Sequence, residues 1–147
     1  MCIFCDIVSG KAPASRVFSD GLVTAFMDVR PVNPGHLLVV PDRHSTGLRE
    51  LDPATAGRMF QVGQLMAGAL YRSGLPCEGV NLFLADGEAA GQEVFHVHLH
   101  VFPRYKADGF GLVFSPRYYQ SPPARDELDQ LAAQIRSGID GPWQDRV

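Results

Sequence analysis

The amino-acid sequence predicts an α+β domain, a mostly antiparallel β-sheet with one long helix and a C-terminal helix. Three observations carry the prediction. Several short apolar-rich runs are set off by turn formers, and one of them, HVHLHVF, alternates polar and apolar residues with the period of a half-buried strand. Two longer stretches repeat their apolar residues every three or four positions, the period of a helix. The order is strands, a long helix, strands again and a last helix, which suits a sheet with its helices segregated from it.

In chain order, RVFSD (16–20), LVTAFMDV (22–29) and HLLVVP (36–41) read as strands separated by the turn formers SDG and NPG. The loop RPVNPGH between the second and third is held by Pro31 and Pro34, which restrict their own φ angles and the residues before them. It delivers His36 to the start of a strand. Asp52 followed by Pro53 is a helix start, with the carboxylate as N-cap and proline at the first helical position. Met59, Val62, Met66 and Ala69, with Phe60, Leu65 and Leu70 beside them, form a core-facing stripe that Gly74 ends. GVNLFLAD (79–86) reads as a strand, EAAGQE (88–93) as a loop, and VFHVHLHVFP (94–103) as a strand carrying three histidines. After a Gly/Pro-rich segment, Leu128, Leu131 and Ile135 mark a final amphipathic helix that ends near Gly138.

The chain has 147 residues, 46% of them apolar, enough for one domain with a core and no disulfide support. We expect a single domain over 1–147, with a core of about 2–114 and a C-terminal irregular segment and helix over 115–147. A net charge of −3 shows no basic excess, which argues against extended nucleic-acid or anionic-membrane partners. No basic n-region with an apolar h-region opens the chain, and no run approaches the ~18 apolar residues of a membrane span. A cytoplasmic location is the expectation. Three cysteines are an odd number, which argues against a disulfide framework and leaves Cys77 as a bystander.

In HVHLHVF, His96, His98 and His100 fall at every second position, so on a strand their rings share one face while Val97, Leu99 and Val101 turn to a core. Such a row suits a catalytic metal held by three rings, or nucleophilic catalysis, because a neutral imidazole attacks phosphorus readily. The context favours the second. His-φ-His-φ-His-φ-φ, with φ apolar, is the hallmark of the histidine triad (HIT) superfamily of nucleotide hydrolases and transferases, and His96 to Phe102 match it at every position. CIFCDIVSGKAPAS, FMDVRPVNPGHLLVVP and AGQEVFHVHLHVFPRYKADGF also resemble this family in order and spacing.

The resemblance implies a role for each matching residue. His98 corresponds to the nucleophile that attacks the α-phosphorus of a nucleotide and forms a nucleotidyl-histidine intermediate, which water then hydrolyses. His100 corresponds to a phosphate-contacting member, Gln92 to an amide that helps hold phosphate oxygens, and His36 to an upstream histidine that supports the triad. Asp28 matches a position that meets the ribose hydroxyls. Phe4, Ile7, Phe26 and Val29 resemble the apolar lining of the base pocket. The resemblance further implies a homodimer and an AMP-like substrate, with no organic cofactor. Two departures stand out: Ala85 where many relatives carry an amide near the phosphate, and Glu93 where some carry a hydroxyl that donates to the leaving group. A carboxylate only accepts.

Cys2-x-x-Cys5 has the spacing of a zinc half-site, and a redox pair is its rival. Further ligand candidates are His44 in PDRH and the histidine segment itself. One branch of the family, which this sequence resembles in its cysteine pair and PxxH segment, binds structural zinc; carried over, its ligands are Cys2, Cys5, His44 and His96. The function expected is hydrolysis at the α-phosphate of AMP conjugates such as phosphoramidates or dinucleoside polyphosphates. The alternatives are a nucleotidyltransferase that uses the same intermediate, a metallohydrolase built on His96, His98 and His100, and a non-catalytic nucleotide-binding module.

Overall fold

The computed structural model describes residues 2–139. It divides into two compact units, one running to Phe110 and one from Gly111 onward. The first unit is built on a five-stranded sheet, β1 (Arg16–Ser19), β2 (Val23–Met27), β3 (Leu37–Pro41), β4 (Gly79–Phe83) and β5 (Leu99–Arg104), in the order β1-β2-β3-β5-β4. All four pairings are antiparallel, as the sequence predicts.

Strand alternation divides the sheet into two faces with different tasks. Val23, Ala25, Leu37, Val39, Leu99 and Val101 point to one face and form the main core with Met59, Val62, Met66 and Leu70 of the long helix α2 (Pro53–Arg72). Each of these large apolar side chains contributes about 1.5–3 kcal/mol on full burial. The N-terminus of α2 is capped as expected, with Asp52 Oδ2 accepting from the Thr55 backbone N–H at 2.9 Å. Phe60 and Leu65 depart from the expected stripe. They lie on the exposed side of α2, while Gly63 occupies the helix surface nearest the sheet. A Cβ at Gly63 would come within 2.9 Å of Leu99 and 3.1 Å of Leu82, so the glycine permits the close approach of helix to sheet.

The opposite face carries a row of cross-strand neighbours, with Phe26 opposite Leu38, Leu38 opposite His100, and His100 opposite Phe83. On it sits an element the sequence did not show, the short helix α1 (Ile3–Val8). Six residues cannot display a helical period, and its N-cap Cys2 makes no side-chain cap. Tertiary burial holds it instead: Phe4 and Ile7, one turn apart, join Phe26, Leu38 and Val40 in a second core.

The histidine segment is only partly a strand. Residues 94–98 leave the sheet, and β5 begins at Leu99. Pro41 has no N–H to extend the β3 ladder, its carbonyl accepts from the His96 ring at 2.8 Å, and the Val97 N–H goes to the Ser45 carbonyl. Val97 nonetheless keeps the inward direction of the alternation and joins the main core. The β2–β3 connection is closed by the Asp28 N–H donating to the His36 carbonyl, which sets these two residues side by side. Gly35, at φ +104°, completes this turn where a Cβ would strike Leu70 and Leu75.

In the second unit, α3 (Arg125–Ser137) spans the expected C-terminal helix, with Gly138 as its C-cap. Leu128, Leu131 and Ile135 line one side of it and stay exposed. Before it, a 3₁₀ turn over Pro116–Tyr119 stacks Tyr118 on Phe114, ring centroids 4.1 Å apart. Among the described residues no helix is long and apolar enough to cross a membrane.

Candidate active site and metal centre

A cavity of about 1120 Å³ opens on the α1 face of the sheet. Its lining combines the apolar Phe4, Ile7, Phe26 and Leu38 with the polar Asp28, His36, His98 and His100. The structure thus brings the expected base-pocket residues and two members of the triad, His98 and His100, around one space. Val29 also lines it, but it is 93% exposed and belongs to the rim, unlike the three buried apolar residues expected beside it.

Hydrogen-bond partners determine the tautomer of each ring. The Val32 backbone N–H donates to His36 Nδ1 at 3.0 Å, so the proton of neutral His36 is on Nε2. That N–H donates to His100 Nδ1 at 2.9 Å, which places the His100 proton on its own Nε2. His98 Nδ1–H donates to the His96 carbonyl at 2.7 Å, so its Nε2 keeps a free lone pair. The result is a relay of donors ending on His100 beside an unprotonated nitrogen on His98, the two rings 4.9 Å apart.

Burial, with the neighbouring His98 and His36 rings, pushes the His100 pKa down to about 4; Asp28, whose Oδ2 lies 3.9 Å away, acts in the opposite sense. Burial also lowers His36 against the pull of Asp28, 3.6 Å from its Nε2. Both rings stay neutral at pH 7, as the donor chain requires. The consequence for stability has a definite sign. Unfolded chains take up a proton on histidine as the pH falls below 6.5, and the folded His100 resists until about 4, so its contribution is complete above 6.5 and is lost through that window. Denaturant unfolding at pH 7 and pH 5 is expected to show a loss of at most about 2 kcal/mol from this residue, a loss that His100→Gln removes. An equal acid loss in the variant would contradict the assignment.

Gln92 is placed differently from the expectation. It is buried, does not line the cavity, and has its amide taken up: Oε1 accepts from the Gly87 N–H at 2.7 Å, and Nε2 donates to the Thr46 and Val94 carbonyls. Its work in this structure is to brace the loop that precedes the histidines. Ala85 is buried and fills space without a polar role. The residue that sequence reasoning missed is Arg30, which lines the cavity and pairs with Glu93 at 2.7 Å. The two are 63 positions apart, and no local pattern joins them.

His96 turns away from the cavity. Its Nε2–H is fixed on the Pro41 carbonyl, so Nδ1 presents a lone pair, and Cys2 Sγ (3.3 Å), His44 Nδ1 (3.3 Å) and Cys5 Sγ (3.6 Å) surround it. Cys5 Sγ lies 3.4 Å from His44 Nδ1, and the four ligand atoms all fall within 4.8 Å of one another. Tetrahedral zinc with Zn–N of about 2.0–2.1 Å and Zn–S of about 2.3 Å gives ligand–ligand edges of about 3.3–3.8 Å. The four residues fit such an ion, and the backbone carbonyl on His96 Nε2 is the outer partner that a metal-bound imidazole takes. His96, His98 and His100 do not converge on one point: no cluster of ligating atoms among the described residues holds two of them. That geometry counts against a metallohydrolase built on the triad.

A model of the HIT domain matches residues 9–107. The chain belongs to the HIT family. A HIT family protein from Bacillus anthracis is similar in structure, with a TM-score of 0.83 at 37% identity over 95% of this chain and 97% of that one. A Zn-bound histidine triad family protein from Mycobacterium smegmatis is similar with a TM-score of 0.72 at 40% identity, over 94% of this chain and 97% of the other. In sequence, the adenylylsulfatase HINT3 of Arabidopsis thaliana is 32% identical over 138 residues, 94% of this chain and 67% of that protein. For this HIT protein, the fold follows these solved structures over nearly the whole chain.

Proposed function

We propose that this HIT protein hydrolyses conjugates in which AMP, or another nucleoside monophosphate, is joined through its α-phosphate to an amine, sulfate, phosphate or second nucleotide. One observation carries the proposal: His98 is locked by its Nδ1–H on the His96 carbonyl, leaving Nε2 unprotonated in a cavity lined by both apolar and polar side chains. Nε2 attacks the α-phosphorus, the bond to the leaving group breaks and its electrons depart with that group. Water then attacks the same phosphorus, the P–N bond breaks, and neutral His98 returns with AMP. Dividing one displacement into two lowers each barrier. The Nε2–H of His100, set by the relay from His36, donates to a phosphate oxygen as charge develops there. Asp28 accepts from the ribose hydroxyls, and Phe4, Ile7, Phe26 and Val29 face the base. Gln92 acts on the phosphate through the loop it braces.

The same reading places a structural Zn²⁺ on Cys2, Cys5, His44 and His96. The ligand–ligand distances support it, as does the similar Mycobacterium smegmatis protein, which is Zn-bound. Its contribution is a tie between α1 and the histidine segment, not a step in the reaction. A homodimer in the cytosol completes the reading, and the exposed apolar side chains of Phe60, Leu65 and Tyr71 on α2 suit a contact with a second copy.

The test is release of AMP from two substrates, adenosine phosphoramidate and the mixed anhydride of AMP with sulfate, the bond that an adenylylsulfatase opens. Turnover of at least one is expected. Tight binding of AMP with no turnover of either would make the protein a nucleotide-binding module.

A further inference from the structure

Resting on that hydrolase reading, we infer that Arg30 is the residue that selects anionic leaving groups, and that Glu93 is its resting partner, displaced when such a group arrives. Among the described residues around the cavity, Arg30 is the only lysine or arginine; the other fixed charges there are the carboxylates of Asp28 and Glu93. His36 and His100 add no positive charge at neutral pH, because burial lowers both. A substrate whose α-phosphate already carries negative charge therefore meets two carboxylates and one guanidinium. That guanidinium is its one source of fixed charge compensation.

Arg30 is placed for this task. Its backbone N–H donates to Asp28 Oδ1 at 2.8 Å, which ties its position to the residue beside His36 and His100. Its Nη2 donates to Glu93 Oε2 at 2.7 Å, and Glu93 is close enough to His100 to act on its charge. Both side chains are largely exposed, at 81% and 73%, so the pair is screened, weak and exchangeable. An arginine fork matches the oxygens of sulfate or phosphate two at a time, which a carboxylate on a flexible stem cannot improve upon once a tetrahedral anion is present.

The chemistry of departure points the same way. When the P–O bond to sulfate breaks, the electron pair goes to the sulfate oxygen, and the dianion leaves without a proton; what it needs is positive charge. An amine leaving from a P–N bond must collect a proton. Glu93 in its ion pair accepts and does not donate. The rim thus offers charge compensation to an anionic leaving group and no proton to an amine.

The measurement is the ratio of kcat/KM for the AMP–sulfate anhydride to that for adenosine phosphoramidate, in wild type, Arg30→Gln, Arg30→Lys and Glu93→Gln. Loss of a charge-assisted fork is expected to lower the ratio about tenfold or more in Arg30→Gln. Arg30→Lys should fall between that and wild type, keeping charge without the fork. Glu93→Gln should raise the ratio several-fold by freeing Arg30, chiefly through a lower KM for the sulfate conjugate. A ratio unmoved in Arg30→Gln, or a fall in Glu93→Gln as large as in Arg30→Gln, would overturn the proposal while leaving the hydrolase reading in place. No turnover by wild type would overturn both.

Discussion

Replacing His98 by alanine is expected to lower AMP release by about 10³-fold or more, because among the described residues no other group in the cavity has both the lone pair and the position to take its place. His36 Nδ1 is occupied by the Val32 N–H and His100 Nδ1 by the His36 N–H, so neither offers a free nucleophilic nitrogen there. The substitution also removes a buried ring that packs edge-on against Phe4, centroids 5.3 Å apart, and stability falls with it. Calorimetric titration with AMP separates the two effects. Binding within a few-fold of wild type, together with lost turnover, is the expected pattern; turnover near the wild-type rate would remove the nucleophile assignment.

The second large effect follows from loss of the metal site. Zinc held at a hundredfold excess over its dissociation constant adds about 2.7 kcal/mol to folding stability. Cys5→Ala, or prolonged chelation, is therefore expected to lower the melting temperature by several degrees. The loss extends to the cavity. α1 is too short to persist alone, and its Phe4 touches both His96 and His98 while Ile7 lines the cavity. AMP affinity should fall with stability, without any requirement for metal in the chemical steps. Elemental analysis of purified protein, with thermal unfolding before and after chelation, checks this. Metal-free protein of full stability would contradict the site.

Much of this was legible in the sequence because it rests on local pattern. Apolar runs set off by the turn formers SDG and NPG located β2 and β3, alternation located β5, and the Asp52–Pro53 pair located the start of α2. The same alternation showed that Val97, Leu99 and Val101 share a core face, although pairing starts only at Leu99. What stayed hidden depends on contacts distant in sequence. α1 exists because Phe4 and Ile7 find Phe26 and Leu38, and six residues carry no period of their own. Gln92 was expected at the phosphate, yet the backbone groups of Gly87, Thr46 and Val94 saturate its amide, partners that spacing cannot show. The three histidines read as one row, but the turn before β5 sends His96 to the cysteines and leaves His98 and His100 at the cavity. Arg30 had no motif at all, and its partner Glu93 stood out only as a departure from the family's pattern.

The central claim is a covalent bond between His98 and the α-phosphorus. The most direct measurement is peptide mapping by mass spectrometry of enzyme quenched during turnover of the AMP–sulfate anhydride or the phosphoramidate. The account predicts an adenylyl group on the peptide containing His98, labile to acid as a P–N bond is, and absent from His98→Ala. Turnover with no adduct at any quench time, or an adduct on another residue that persists in His98→Ala, would contradict it.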